Sequence, residues 1–397
     1  MKVAIFGCRD GEYLYQQIKQ NGKEKYQVCC FCDNAPKYLN TLIAGIPVSG
    51  FDMIVQKYRK REIEAVIVAV RKGYSRYCIV EQLRKAGIDN IILLKPGPLT
   101  YRLPIIFSES EAGYRRQWMF LKEQKHPVIH HLEAHAADGC NLNCKGCLHF
   151  ANLYDREELP DLWKLLDDIQ RVKENCEIFQ FRILGGEPLL NPDLPQFLSK
   201  LRGILPDTDI AVISNGILIP KAPKELFEVM RDESVGFNLT LYPPTLKMKE
   251  KIYEILEGSH VSYGSHEAKV DEFEKYMMLH PAESNTYAYE SCVSRGILTL
   301  RDGKLYKCPI VAYVNRYFDT FGLQQHYEEG INIYDDSLEW QTLIENLTLR
   351  EGSFCRHCTK DSESFHWSVG MPEYEDWLVS GGCDDKESVQ ILPRIWS

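Results

Sequence analysis

Short, continuously apolar runs alternate with helical stretches in two separate blocks of the chain, and this alternation restricts the fold more than any other feature. In the first block, residues 1–97, the runs Val3–Phe6, Val28–Cys32, Ala65–Val70 and Ile91–Leu94 read as strands. Helices fit between them, for instance at Tyr13–Gln20 and Ile79–Ala86, with Gly87 as a helix stop. Strands that are apolar at every position, rather than at alternate ones, must be covered on both faces. That requires a parallel sheet between helices, so a small Rossmann-like domain is expected here. Residues 98–126 lose the pattern: Pro98 and Pro104, close to Pro96, lie among charged and aromatic residues. This stretch is read as a linker that wraps the next domain.

The second block, residues 127–287, resumes the alternation. Val128–Ala134 leads into a cysteine cluster, and Leu162, Leu165, Leu166, Ile169 and Val172 recur at helical spacing. Phe179–Leu184 ends in Gly185-Gly186-Glu187-Pro188, Ile210–Ser214 ends in Asn215-Gly216, and Val235–Leu241 ends in Tyr242-Pro243-Pro244. Polar loops at the C-terminal ends of successive strands are how α/β barrels build sites. Residues 288–397 lose the alternation and scatter Cys292, Cys308, Cys355, Cys358 and Cys383 among turns, as expected of a small domain organised by metal.

A chain of 397 residues is too long for one ordinary core and suggests two or three domains. The net charge is −9, with Lys and Arg scattered among Asp and Glu. Without a basic stripe, a nucleic-acid partner is not expected; Lys57–Arg61 reads as a solvated helix face. The N-terminal Lys2–Gly7 is a strand pattern and not a signal peptide. No run approaches the roughly 18 apolar residues that would span a bilayer. A cytoplasmic protein with no membrane partner is therefore expected. In that reducing compartment the fourteen cysteines are metal ligands or buried apolar residues rather than disulfides. Cys29, Cys30 and Cys32 lie in or just after a strand, Cys8 lies in the first strand–helix turn, and Cys78 and Cys176 read as helix packing residues.

Cys140, Cys144 and Cys147 stand in a CxxxCxxC arrangement. Thiolates at this spacing suit an iron–sulfur cluster or zinc. Three thiolates on four irons leave one iron open for a further ligand. The triplet follows the first strand of the block, GGEP (Gly185–Pro188) ends the second, and SNG (Ser214–Gly216) ends the third. In these features the chain resembles the radical S-adenosylmethionine (SAM) superfamily. The resemblance implies an α/β fold with a partial (β/α)6 barrel. It also implies a [4Fe–4S] cluster on Cys140, Cys144 and Cys147 that binds SAM and cleaves it reductively to a 5′-deoxyadenosyl radical. Gly185, Gly186, Glu187 and Pro188 would meet the SAM amino group, and Ser214 and Asn215 would contact SAM. Asn238 and Thr240 on the next strand are placed to reach the ribose or the carboxylate. The family often has an aromatic residue just before the third cysteine, where this chain has Gly146. Packing on the adenine side is then expected from His149 or Phe150. His149, Tyr154, Arg182 and Tyr242 lie near the expected barrel mouth, with His149 and Tyr242 the catalytic candidates.

Cys292, Gly303 and Cys308, followed by Cys355-Arg356-His357-Cys358, resemble the "twitch" form of the SPASM-type auxiliary domain. The resemblance implies a second, fully ligated [4Fe–4S] cluster on Cys292, Cys308, Cys355 and Cys358. Zinc bound by the same four thiolates is the alternative. A hairpin over Ile297–Tyr306 would turn at Arg301-Asp302-Gly303, with Asp-Gly as good turn chemistry. The longer seven-cysteine SPASM pattern is not met. Cys383, in an acidic tail, is a surface thiol, a hydrogen donor or an exchanged ligand.

In the first block, Gly7, Arg9 and Gly11 close the first strand and Asp33 follows the second. A glycine turn feeding a helix can cradle an anion, and an acidic residue after the second strand can meet a ribose. With later motifs at Ile46–Val48, the block resembles the N-terminal nucleotide-sugar-binding domains of polysaccharide-modifying enzymes. A docking domain without ligand is the alternative. The expected substrate is thus a nucleotide-activated sugar or polyol, oxidised with the help of the auxiliary cluster, or else epimerised or subjected to elimination. Flavodoxin or ferredoxin would serve as reductant. The rivals are a radical SAM maturase of a peptide and a non-catalytic iron–sulfur or zinc scaffold that senses a nucleotide.

Overall fold

The computed structural model describes residues 1–95, 105–111, 113–266, 271–283 and 286–380. Pro96, Pro98, Pro104 and Cys383 lie outside the described residues. The first domain is a seven-stranded sheet in the order β3-β4-β2-β1-β5-β6-β7. Its strands are β1 (Lys2–Phe6), β2 (Gln27–Cys32), β3 (Leu42–Ile43), β4 (Ile46–Ser49), β5 (Ala65–Val68), β6 (Ile91–Leu94) and β7 (Trp118–Phe120). β4, β2, β1, β5 and β6 run parallel, and β3 and β7 add antiparallel edges. Val3, Ala4, Ile5, Cys30 and Phe31 are wholly buried between helices, which is why the strands read as unbroken apolar runs. The helices at Cys8–Gln17 and Gly73–Lys85 begin well before the expected Tyr13 and Ile79.

The stretch read as a linker is not free. β7 pairs with β6, and Ile105, Phe107, Tyr114 and Trp118 pack into the core of the first domain. A single aromatic strand after a proline-rich stretch carries no periodicity of its own, so the pairing that recruits it is invisible locally.

The second unit opens with β8 (Val128–Ile129) and β9 (Leu132–Ala137), which are separate strands broken at His130-His131. β10 (Glu177–Ile178) pairs with β8. β9, β11 (Gln180–Gly185), β12 (Asp209–Ser214), β13 (Gly236–Thr240) and β14 (Tyr263–His266) form a parallel arc, each bonded to the next. The helix Leu162–Asn175 starts where the Asp161 carboxylate accepts from the Trp163 and Lys164 amides at 2.9 and 3.1 Å. It lays Leu165, Ile169 and Val172 against the outside of the arc, in one core with Phe181, Leu198 and Leu201.

β15 (Glu272–Met277) lies within the stretch assigned to the barrel but pairs with β19 (Cys358–His366), so the C-terminal unit begins before residue 288. The expected hairpin is β16 (Leu298–Arg301) and β17 (Lys304–Tyr306), followed by β18 (Ile331–Asn332). Asp302 and Gly303 adopt φ of 50° and 72°, as a two-residue hairpin turn demands. β16 is the sixth parallel strand, yet it joins the free edge of β9 rather than β14. The result is an open eight-stranded sheet, ordered β14-β13-β12-β11-β9-β16-β17-β18, and not six consecutive barrel strands. It is nonetheless the mixed α/β, partly closed barrel that was expected.

Arg76 bolts the first domain to the N-terminal end of the barrel. Its side chain is fully buried. Nε donates to His130 Nδ1 at 3.0 Å, Nη2 to the His130 carbonyl at 2.7 Å and Nη1 to the Val70 carbonyl at 2.8 Å. The guanidinium lies 4.0 Å from the centre of the Phe179 ring. Arg76→Ala would leave these buried acceptors unpaired. It should lower stability by more than about 3 kcal/mol. In calorimetry, a single unfolding transition should become two as the domains uncouple.

Candidate active site

Two backbones meet where β9 and β11 end. Gly186 N–H donates to the Ala137 carbonyl at 2.8 Å and Glu187 N–H to the Gly139 carbonyl at 3.0 Å. A Cβ on Gly185 would sit 1.9 Å from the Ala137 oxygen, and one on Gly186 would sit 1.9 Å from the Gly139 oxygen. Gly185 also holds φ at 140°. Only glycine fits either position. Glu187 is fully buried. Its carboxylate accepts from Ser214 Oγ at 2.8 Å, the Asn215 amide at 2.9 Å and the Leu189 amide at 3.2 Å. Burial raises its pKa to about 7, against these bonds. Glu187 therefore works as a clamp that locks the Ser214–Gly216 turn onto the second strand end. Asn215 passes the connection on: Nδ2 donates to Asn141 Oδ1 at 2.7 Å.

Cys140, Cys144 and Cys147 line one wall of a cavity of about 700 Å³, facing Gly185, Gly186, Ser214, Asn215, Thr240 and Tyr242. Asn238 is buried in β13. Pro188 opens a short 3-10 turn behind the wall. Burial is the first cause that raises the pKa of each of the three thiols, to about 12 at Cys144, and at Cys140 and Cys144 the neighbouring cysteines add to it. Converged thiols that resist ionisation without a cation fit a metal-bound group, since a coordinated thiol loses its proton outright. Among the described residues no three ligating side chains close around a single ion.

The C-terminal segment wraps the cysteine loop, a feature with no local sequence signal. Trp367 Nε1 donates to Cys144 Sγ at 3.2 Å and Trp377 Nε1 donates to the Cys147 carbonyl at 2.8 Å. Lys145 N–H donates to the Ser368 carbonyl at 3.0 Å. A Cβ at Gly146 would lie 2.7 Å from Phe365 Cζ. Phe365 thus packs against Gly146, while Phe150, one of the two residues expected on the adenine side, turns away into a core with Tyr317 and Trp377.

His149 does line the cavity, and it ends a buried chain. Asp138 Oδ1 lies 2.8 Å from His135 Nδ1, and His135 Nε2 lies 3.0 Å from His149 Nδ1. Arg301, from the hairpin, grips Asp138 at 2.8 and 3.1 Å, and Tyr313 stacks on His135 with centroids 3.7 Å apart. Burial lowers the pKa of His135 to about 4 and that of His149 to about 3, so both rings are neutral. Asp138 accepts the Nδ1 proton of His135, whose Nε2 accepts from His149 Nδ1. The remaining nitrogen of His149 is left as a proton acceptor. Tyr242 stacks on Trp367. Its phenol is held neutral, first by burial and then by the charge of the cysteines. Tyr154 lies beneath Arg316. Arg182 pairs with Asp209 at 2.8 Å, at the strand starts and so at the opposite end of the barrel from the mouth where it was expected.

Cys292, Cys308, Cys355 and Cys358 come from four separate places: the turn after the helix Thr286–Ser291, the start of the helix Pro309–Phe321, a 3-10 turn and the first residue of β19. They nevertheless gather. The thiol of Cys358 is pushed up first by burial and then by Cys308, Cys355 and Cys292. In the first domain, Asp33 Oδ2 accepts the Cys8 amide at 2.8 Å and Oδ1 accepts the Ala35 amide at 2.9 Å. Asp33 thus satisfies the helix start that was expected to cradle an anion. Arg9 is exposed and Gly11 packs on Ile5 and Phe31. None of Gly7, Arg9, Gly11 and Asp33 lines the cavity of about 340 Å³ at the ends of β5 and β6, where Asp10, Arg71, Arg116 and Arg231 meet Thr208 and Ser262 of the barrel.

An open parallel arc with three thiols at the end of its first strand and Gly-Gly-Glu at the end of its second defines a class. Residues 136–258 match the radical SAM superfamily, and that family implies a [4Fe–4S] cluster and SAM. Among curated relatives, a GTP 3′,8-cyclase of Helicobacter pylori is 31% identical over 101 residues, 25% of this chain and 31% of the relative. One of Clostridium acetobutylicum is 33% identical over 102 residues, again 25% and 31%. The chain thus spans about a third of the length of the curated relatives it matches. Among solved structures, anSMEcpe with bound AdoMet is 20% identical, covers 35% of this chain and 43% of that chain, and has a TM-score of 0.28. UDP-D-quinovosamine 4-dehydrogenase from Vibrio fischeri is 21% identical, covers 23% and 76%, and has a TM-score of 0.21. No helix among the described residues is long and apolar enough to cross a membrane.

Glu133, unremarked in the sequence, points from β9 into the cavity, where burial raises its pKa from 4.5 to about 8. The folded chain therefore holds a proton there that the unfolded chain has lost above pH 4.5. The stabilisation is complete below that pH and is lost as pH rises toward 8. Glu133→Gln should be neutral near pH 5 and should stabilise by on the order of 3 kcal/mol at pH 8 in urea unfolding. An equal effect at both pH values would show the carboxyl to be ionised in the fold.

Proposed function

We propose that this chain is a radical SAM enzyme that abstracts a hydrogen atom from a small sugar or polyol and oxidises it. The observation that carries this reading is the set of three thiols on one wall of the cavity, facing the Gly185–Glu187 and Ser214–Gly216 turns. Cys140, Cys144 and Cys147 would hold the cluster. Gly185, Gly186, Ser214, Asn215, Asn238 and Thr240 would hold SAM, with Glu187 fixing the turns that do so. When bound, these groups supply a 5′-deoxyadenosyl radical that takes the substrate hydrogen, and a second cluster on Cys292, Cys308, Cys355 and Cys358 supplies an acceptor for the electron left behind.

The chain's own residues provide the rest. His149, kept neutral and oriented through His135 and Asp138, offers its outer nitrogen as a hydrogen-bond acceptor to the substrate hydroxyl and relays the proton released on oxidation to solvent. Phe273 and Tyr242 give the cavity an aromatic wall, with Trp367 stacked on Tyr242. Arg301 ties this proton acceptor to the hairpin of the auxiliary unit, so the two halves of the oxidation share one rigid support. A soluble one-electron carrier such as flavodoxin or ferredoxin is the reductant. The nucleotide-linked form of the substrate draws support from the first domain alone, whose arginine-lined cavity lies at the far end of the barrel strands.

Cys140→Ala, Cys144→Ala and Cys147→Ala should each abolish 5′-deoxyadenosine formation by anaerobically reconstituted protein; retained product would sink the assignment. Metal analysis separates the alternatives for the other four cysteines. About eight irons per chain are expected, against about four irons and one zinc if that set is only structural.

A further inference from the structure

Trp367 follows the last residue of β19, the strand that starts at Cys358. The chain beyond it pairs with the loop of the other cysteine set. Lys145 N–H donates to the Ser368 carbonyl at 3.0 Å and Gly370 N–H to the Asn143 carbonyl at 3.1 Å, one on either side of Cys144. Trp367 is held at its backbone, where its N–H donates to the Asp271 carbonyl at 2.7 Å. It is also held on its face, where the ring lies 13° from the plane of Tyr242 with centroids 5.9 Å apart. So fixed, the indole donates from Nε1 to Cys144 Sγ at 3.2 Å.

The other two sulfurs of the set take their donors from the barrel unit. Cys140 Sγ receives the Leu142 amide at 3.4 Å and Asn215 Nδ2 at 3.8 Å, and Cys147 receives amides of its own loop. Among the described residues, Cys144 is the one sulfur of the three with a donor from the C-terminal unit. An indole N–H can only donate, so it favours the state of its partner that carries more negative charge. In the reading above, Cys144 is a thiolate on iron. The reduced cluster carries one more electron than the oxidised one, and the ligating sulfurs share that charge. A donor on such a sulfur stabilises the reduced state and makes the potential less negative. The reduced state is the one that cleaves SAM, so this bond bears directly on the reaction.

We propose that Trp367 is a positioning residue that sets the reduction potential of the SAM-binding cluster, its indole N–H stabilising the reduced state through Cys144. The inference rests on the radical SAM reading and adds to it that the C-terminal unit takes part in the reduction step. The strand that begins at Cys358 thereby serves both cysteine sets: its first residue belongs to one, and the residue just past its end donates to the other.

The test is an EPR-monitored redox titration of reconstituted full-length holoenzyme. A reduced-cluster signal that changes shape when SAM is added to the wild type comes first, since its absence would remove the radical SAM reading itself. That SAM-responsive signal is then titrated in two variants, each checked for iron content and unfolding midpoint. Trp367→Phe removes the donor. Replacement of Trp367 by 3-benzothienylalanine keeps the size and stacking of the ring and exchanges the N–H for sulfur. In both, the ratio of reduced to oxidised cluster at a fixed solution potential should fall about 10-fold, a shift of about 59 mV to more negative potential for a one-electron couple. Any second cluster signal, which SAM does not alter, should titrate as in the wild type. A ratio within about 2-fold of the wild type in either iron-loaded variant, or a shift to less negative potential, would overturn the proposal. So would loss of iron from both variants, which would make Trp367 a support for the loop and not a modulator of the cluster.

Discussion

The contact of two chain segments at Ala137–Gly139 and Gly185–Glu187 governs how the site is assembled. With any side chain at Gly185 or Gly186 the strand ends would be forced apart by the carbonyl oxygens 1.9 Å from the added Cβ. With them in contact, the Glu187 amide reaches the Gly139 carbonyl immediately before Cys140, and its carboxylate reaches the Ser214–Asn215 turn. Asn215 then returns to Asn141, inside the cysteine loop. Three strand ends distant in sequence are thus joined through one backbone contact and one buried acid. A carboxylate held in a dry position by hydrogen bonds to fixed partners gives geometric definition more than stability.

What could be read from the chain was what is encoded locally. The β-α alternation, the strand ends at Gly185 and Ser214, the Asp302–Gly303 turn and the helix at Leu162 are each set by residues within one element, and each lies where the pattern places it. What escaped depends on pairings between distant segments. β7 looks like linker because its partner, β6, lies beyond a proline-rich stretch. β15 looks like barrel because β19 is some 80 residues away in sequence. His135 and Asp138 are embedded in a buried strand and the turn after it, so they read as a break in apolarity rather than as a support for His149. The helix start in the first domain misled in the opposite direction: a glycine turn and a following acid look like a nucleotide cradle, but here the acid itself fills the helix start. A polar residue before a helix signals a cap or a ligand equally well.

The two ends of the barrel are electrostatically distinct. At the strand starts, Arg76, Lys95, Arg182 and Arg202 are buried, and each is satisfied by backbone carbonyls or by Asp209. At the strand ends, thiols and carboxyls line an open space. Burial lowers the pKa of Arg76, Lys95 and Arg202, to about 8 for Lys95, and raises that of Glu133, so desolvation works against charge at both ends. The three cysteine thiols at the strand ends are the groups that a metal cluster would complete.

A hydrogen-bonded path does cross between these ends. Arg76 Nη2 donates to Gln180 Oε1 at 3.4 Å, and Gln180 Nε2 lies 2.7 Å from His131 Nδ1, leaving the other nitrogen of His131, on the cavity floor, to carry the proton. Such a path does not by itself couple the first domain to the chemistry. Coupling requires an element with two arrangements that each site can bias, and Arg76 and Gln180 are buried in one arrangement, with His131 Nε2 left unpaired at the end of the path. A rigid bolt transmits position rather than signal. It holds His131 and Glu133 in place beneath the site, so the first domain acts on the reaction by fixing the floor of the cavity, whether or not its own pocket is filled.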